Sequence, residues 1–266
     1  MKSIKVILTI ASLLLLLGVV GSLLTLNLVD QSASSIEKMF DSKKITNIEI
    51  NGSNEEIELV STNDTEIKVE LTGNRTKNLD ERLDVKVVGD TLTIQTIEQK
   101  KLFNINIFGE SLKLTVLLPE KVYEALQVDI DNGSLEATQL TINEIRTDLD
   151  NGQIKMGDIL AKSVTILAAN GKVYLDHVEG EIKGKTNNGS LFLTTSHVDR
   201  HIEWAMSNGN ISIETEKKPT NTILDIKTTN GKATVFGSSN WDTVSGNGDH
   251  VIKLTATNGK ITIENK

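Results

Sequence analysis

Four carboxylates crowd two consecutive Asn-Gly pairs: Asp129 and Asp131 precede Asn132-Gly133, and Asp148 and Asp150 precede Asn151-Gly152. On a strand, residues three and one before the Asn point to the same face, and a stacked neighbour lies about 4.8 Å away. That geometry makes a small square of acids, in which direct like-charge neighbours are unfavourable. A hard cation such as Ca²⁺ relieves the repulsion through oxygen ligands. The plainer alternative is a solvated acidic face, with Arg146 as a partner, because the chain has no calcium-loop motif. Asp129, Asp148, Asp150 and Arg146 are also the only set that could serve a polysaccharide-cleaving enzyme. That chemistry needs carboxyls of unlike pKa in a substrate cleft.

Three aromatic residues suggest partner binding. Tyr174 and Phe192 each fall four residues after the Asn of their Asn-Gly pair, a phase that points outward. Two stacked rings could grip a sugar ring or a protein, or could simply form a stabilising ladder. Trp241 lies in an insertion, Gly237–Asp249, that either carries recognition or folds back over its own repeat. His197 and His201 have a spacing that binds zinc on a helix, but here they lie between strands, and Val198 stands where a metalloprotease motif needs Glu.

What must position these residues is a repeat. Seven Asn-Gly pairs recur at near-regular spacing in the second half: Asn132-Gly133, Asn151-Gly152, Asn170-Gly171, Asn188-Gly189, Asn208-Gly209, Asn230-Gly231 and Asn258-Gly259. The intervals are 19, 19, 18, 20, 22 and 28 residues, and a period near 20 marks a repeat architecture. Positions three and five after each Asn are apolar throughout, from Leu135 and Ala137 to Ile261 and Ile263. Positions six, four and two before it keep the same phase, as in Leu126, Val128 and Ile130; Ile182, Gly184 and Thr186 form the weakest rung. This is the period-2 pattern of strands with one buried face. Asn and Gly tolerate positive φ, so each pair suits a sharp corner. An antiparallel meander of hairpins could use the corner too, but the regular repeat length favours an all-β, parallel β-solenoid with coils of about 19 residues.

At the N-terminus, Lys2 and Lys5 precede Val6–Val29, 24 residues without a charge. This suffices for one transmembrane helix with the short basic end in the cytoplasm. A cleaved signal peptide is the alternative, but its apolar core would be shorter. Either way the rest of the chain is expected outside the cytoplasm. The organisation expected is a stub and anchor over 1–29, a polar linker over 30–44, an irregular β cap or early coils over 45–120, and the repetitive part over 121–266. The chain has no Cys and a formal net charge of −8. An acidic chain with only four scattered Arg is a poor partner for nucleic acid.

The segments Asp90–Ile94 (DTLTI), Leu112–Pro119 (LKLTVLLP) and Leu126–Ala137 (LQVDIDNGSLEA), with the recurrent Asn-Gly corners, resemble the bacterial putative-adhesin family of unknown function. That family includes membrane-anchored, LiaG-like proteins of Gram-positive envelope-stress operons. The resemblance spans roughly residues 45–266. It implies a right-handed β-solenoid displayed at the cell envelope and supplies no catalytic residues to carry over. The function expected is that of a single-pass, extracytoplasmic, non-enzymatic adhesin-like scaffold. Its expected partners are the membrane, through the N-terminal helix, and a cell-wall polymer or envelope protein. No cofactor is expected beyond the calcium considered above. The competing functions are a β-helix polysaccharide-active enzyme and an accessory subunit of a stress-sensing system.

Overall fold

Alternating apolar residues in the second half of the chain become strands that pair in parallel with the same phase at every repeat. The structure, a computed structural model, describes residues 33–74, 78–98 and 111–266, together with positions 14, 15 and 18. Its strands are β1 (Ala33–Asp41), β2 (Asn47–Gly52), β3 (Glu56–Thr62), β4 (Glu66–Asn74), β5 (Leu83–Val88), β6 (Thr91–Thr96) and β7 (Ser111–Pro119). The repetitive part adds β8 (Val122–Thr138), β9 (Thr141–Val178), β10 (Glu181–Thr195), β11 (Ile202–Thr215), β12 (Thr222–Val235) and β13 (His250–Asn265). The described part is all-β, and its sheet is open rather than closed into a barrel.

Equivalent residues of successive repeats are direct partners: Asn132 with Asn151, Asn170 with Asn188, and Asn188 with Asn208. All these pairings are parallel, so the repeats are not consecutive hairpins. The core phase read from the sequence lies inside. Leu126, Val128, Leu135 and Ala137 in the first repeat, and their counterparts through the fifth apart from the half-buried Gly184, are buried. Each such Val, Leu or Ile contributes about 1.5–3 kcal/mol by leaving water, and stacking joins the layers into one continuous core.

The weak fourth rung has a structural reason. Gly184 is the register partner of Trp204 in the next layer, and a Cβ on Gly184 would overlap the indole ring. The missing side chain is the space that the fully buried Trp204 fills.

At each corner Asn and Gly have different roles. At five of the seven corners the Gly, and at none the Asn, adopts positive φ, as at Gly152 (140°). A Cβ on Gly152 would overlap the Gly133 carbonyl oxygen of the preceding layer, so the corner needs Gly for close approach as well as for conformation. A second corner follows seven residues after the Asn in the first three repeats, where Gln139, Asp158 and His177 take left-handed conformations at φ 57°, 53° and 51°.

Two findings depart from sequence expectation. First, the repeats do not stack in chain order. β13 lies between β11 and β12, so the seventh repeat separates the fifth from the sixth. The lengthened intervals of 22 and 28 residues supply the chain that this crossover needs. The sixth repeat is therefore the end layer, which explains why its core-phase residues Ile226, Thr228 and Ala233 are only half-buried. Second, residues 33–41, expected within a polar linker, form β1, antiparallel to β4. Only Ile36 and Phe40 carry its apolar phase, and both pack against the core.

At the other end, β2 and β3 make a layer that pairs in parallel with the two halves of β8. Beyond it β6 and β7 continue the parallel order, and β5, β4 and β1 close the stack with antiparallel pairs. The anchor expected over Val6–Val29 lies almost entirely outside the described residues, and no helix among the described residues is long and apolar enough to cross a membrane.

Candidate functional site

The Asn corners form a continuous amide ladder. The side-chain nitrogen of each Asn donates to the side-chain oxygen of its neighbour: Asn151 to Asn132 (3.0 Å), Asn170 to Asn151 (2.9 Å), Asn188 to Asn170 (2.8 Å) and Asn208 to Asn188 (2.9 Å). It continues in spatial order, with Asn258 donating to Asn208 (2.7 Å) and Asn230 to Asn258 (2.9 Å). Asn132 donates in turn to Asn54 (3.2 Å), a member that sequence reasoning missed. Its signal was present: Ile48 and Ile50 before Asn54, and Ile57 and Leu59 after it, hold the core phase of the other repeats. Glu55 in place of Gly hid the match.

The structure brings the four aspartates to one cleft. Asp129 pairs in register with Asp148, and all four line a concavity of roughly 460 Å³ with Asn51, Gly52 and Ser53. Gly52 stands where later layers carry Ile130 and Leu149, which opens the floor. Beneath it the buried Glu55 carboxylate accepts the backbone N–H groups of Ser53 (2.7 Å) and Asn54 (2.9 Å). Asp148 is half-buried, and partial burial, then the Asp129 charge, push its carboxyl upward; Arg146 opposes this and Asp150 adds to it. No set of three or more His, Cys, Asp or Glu side chains among the described residues is gathered closely enough to hold a metal ion.

Tyr174 and Phe192 are register partners whose rings stack with centroids 4.9 Å apart and planes 9° apart. Phe192 remains 38% exposed, so the stack belongs to the surface. Lys155, in the same column one layer earlier, lies 3.9 Å from Glu136.

Trp241 is half-buried and packs against the core together with Phe236. The insertion around it runs along the free edge of β12: Thr222 and Ser245 exchange backbone hydrogen bonds (both 2.9 Å), and the Leu224 amide donates to the Thr243 carbonyl (2.8 Å). The insertion thus covers the start of an edge strand whose unpaired backbone would otherwise be open to pairing. His197 faces Glu179 at 3.6 Å, while His201 lines a separate cleft with His250.

Between the third repeat and the last ones sits a polar latch. Arg200 is buried; its guanidinium donates to the Val178 carbonyl (2.6 Å), to Glu179 (3.0 Å) and to the Thr195 hydroxyl (3.0 Å). The adjacent Asp199 accepts the backbone N–H groups of Thr220 and Asn221 and the hydroxyls of Thr220 and Thr222. Burial alone would raise the Asp199 carboxyl, but these four donors outweigh it and hold its pKa far below the usual carboxylate range.

These features define a class: an all-β repeat protein whose chemistry lies in columns of side chains on the outside of a stacked core. The chain belongs to the Toastrack DUF4097 family, whose pattern matches residues 45–181 and 161–264. Comparison with curated proteins gives no match. Among solved structures, it is similar to a candidate cell adhesion protein from Clostridium sporogenes at 11% identity, over 88% of this chain and 100% of that one, with a TM-score of 0.47. It is also similar to a candidate adhesin from Bacteroides fragilis at 16% identity, over 89% and 99% of the two chains, with a TM-score of 0.46.

Proposed function

We propose that the chain is a membrane-tethered, extracytoplasmic envelope protein, a right-handed parallel β-solenoid that binds a partner along its flank without catalysing a reaction. The observation that carries this reading is the in-register stacking, which turns single outward residues into columns such as Glu136, Lys155, Tyr174 and Phe192. A repetitive flank suits a repetitive or extended partner, a cell-wall polymer before all others. The uncharged run Val6–Val29 behind Lys2 and Lys5 supports the tether and its orientation. The general preference for right-handed crossovers between parallel strands supports the handedness. The resemblance to LiaG-like proteins supports a link to envelope stress.

The non-enzymatic reading rests on the acidic cluster. Asp129 and Asp148 face each other as a like-charged pair in an open cleft, with no aromatic residue in its lining. Calcium bridging is a separate proposal. A bound ion would have to draw the carboxylates inward to the 2.3–2.6 Å that calcium ligation requires.

The placement is tested by labelling. The chain has no Cys, so Ser212→Cys introduces one thiol on the outward face. Intact cells treated with a membrane-impermeant maleimide should label it. Labelling only after lysis contradicts the extracytoplasmic reading.

A further inference from the structure

One face of the Tyr174 ring is covered by Phe192 of the following layer. The other is turned toward the preceding layer, which carries Lys155 and Gly157. There Tyr174 walls a notch of roughly 380 Å³ whose lining includes Glu136, Gln153, Lys155, Gly157 and Asp176. The notch exists because Gly157 interrupts a column of side chains: its register partner is Thr138, and Asp176 holds the same phase in the next layer.

The lining combines one aromatic face with polar groups around it. Glu136 and Asp176 accept hydrogen bonds, Lys155 donates them, and Gln153 does both. His177 Nδ1 lies 2.9 Å from the Asp176 carboxylate and steadies it. A lipid tail has no use for such a polar rim, and a peptide strand would need an unpaired backbone edge, which this interior layer lacks. A sugar ring presents an apolar C–H face to stack on an aromatic ring and hydroxyls at its edge to meet the polar groups. Sites of this kind, mainly apolar in contact with a few placed polar groups, fix a ligand's orientation.

We propose that the Gly157 notch, with Tyr174 as its platform, binds one pyranose ring of an extended glycan. The proposal rests on the envelope-binding reading above and names the ligand class for that flank.

The test is titration calorimetry of the full chain in detergent micelles. The probes are a hexamer of β-1,4-linked N-acetylglucosamine and cellohexaose. Saturable binding of at least one is expected, weakened about tenfold or more by Gly157→Leu and by Tyr174→Ala, with the exposed Lys232→Ala unchanged as a control. Gly157→Leu is compatible with folding, since Gly157 has no positive φ and an added Cβ meets only the Thr138 methyl group, at 3.6 Å. Failure of both oligosaccharides to saturate the protein, or binding that survives both substitutions, overturns the proposal. Retention of Gly157→Leu on isolated cell-wall sacculi at the wild-type level also overturns the notch, while leaving the envelope-binding reading intact.

Discussion

Gly184 and Trp204 occupy register-paired positions in adjacent layers, and the indole of one fills the space left by the other. Gly184→Ala should therefore destabilise the protein by about 1–3 kcal/mol, the usual penalty for overpacking. Trp204→Ala should cost about 3–5 kcal/mol through the cavity it leaves. The double variant should be less destabilised than the sum of the two, because the new methyl group enters that cavity. Thermal denaturation of the four proteins checks this; strict additivity would mean that the two residues do not share a space.

The amide ladder predicts a graded response. Asn170→Ala removes two ladder hydrogen bonds and Asn230→Ala one. At about 1 kcal/mol or less per solvent-exposed bond, Asn170→Ala should lower the melting temperature more than Asn230→Ala does. Equal losses would show that the amides are solvated individually rather than as a ladder.

Asp199 makes stability sensitive to acid. Its folded-state pKa is depressed, so its contribution is complete above the unfolded value of about 3.9 and is lost as pH falls through the folded value. Asp199→Ala should cost about 2 kcal/mol at pH 7, in line with losing hydrogen bonds to a charged group. The gap between variant and wild type should narrow below pH 4. Denaturation curves at pH 7 and pH 3 measure it, and a gap that widens in acid would contradict the assignment.

The order of the last layers can be read by cross-linking in a chain that has no Cys of its own. Ser212 is the register partner of Thr262, and Thr262 of Thr234. Cysteines at 212 and 262 are placed within disulfide reach, whereas 212 and 234 are separated by a full layer. Oxidation should join the first pair and leave the second open. The reverse result would restore chain-order stacking.

Much of this was legible in the sequence because one period governs it. The Asn-Gly spacing and the apolar phase around it identified the buried positions of the first five repeats, including Trp204. The phase could not reveal that the seventh repeat enters between the fifth and sixth, since both repeats carry the same apolar phase and either could form the end layer. Nor could it reveal β1, whose two apolar anchors read as a linker until β4 supplied a partner. Asn54 is hidden because Glu55 rather than Gly follows it, although the apolar phase around it matches the other repeats. The Gly157 notch escaped for another reason: a missing side chain becomes visible only when its neighbours in the adjacent layers are known. Gly184 illustrates the same limit, since it read as a weak rung until its partner was known to be Trp204. The Trp241 insertion, open in sequence to two readings, lies along the β12 edge with its ring on the core, a position suited to covering the end layer.

The central claim is that the flank of the stack binds an envelope polymer. It is tested most directly by incubating the full chain, in detergent micelles, with isolated cell-wall sacculi and separately with protein-containing membrane vesicles, each with and without calcium. The account predicts saturable retention on sacculi, with calcium dependence only if the Asp129–Asp150 cleft takes an ion. Retention on the membrane vesicles alone would contradict it and assign the chain an accessory role beside a membrane partner.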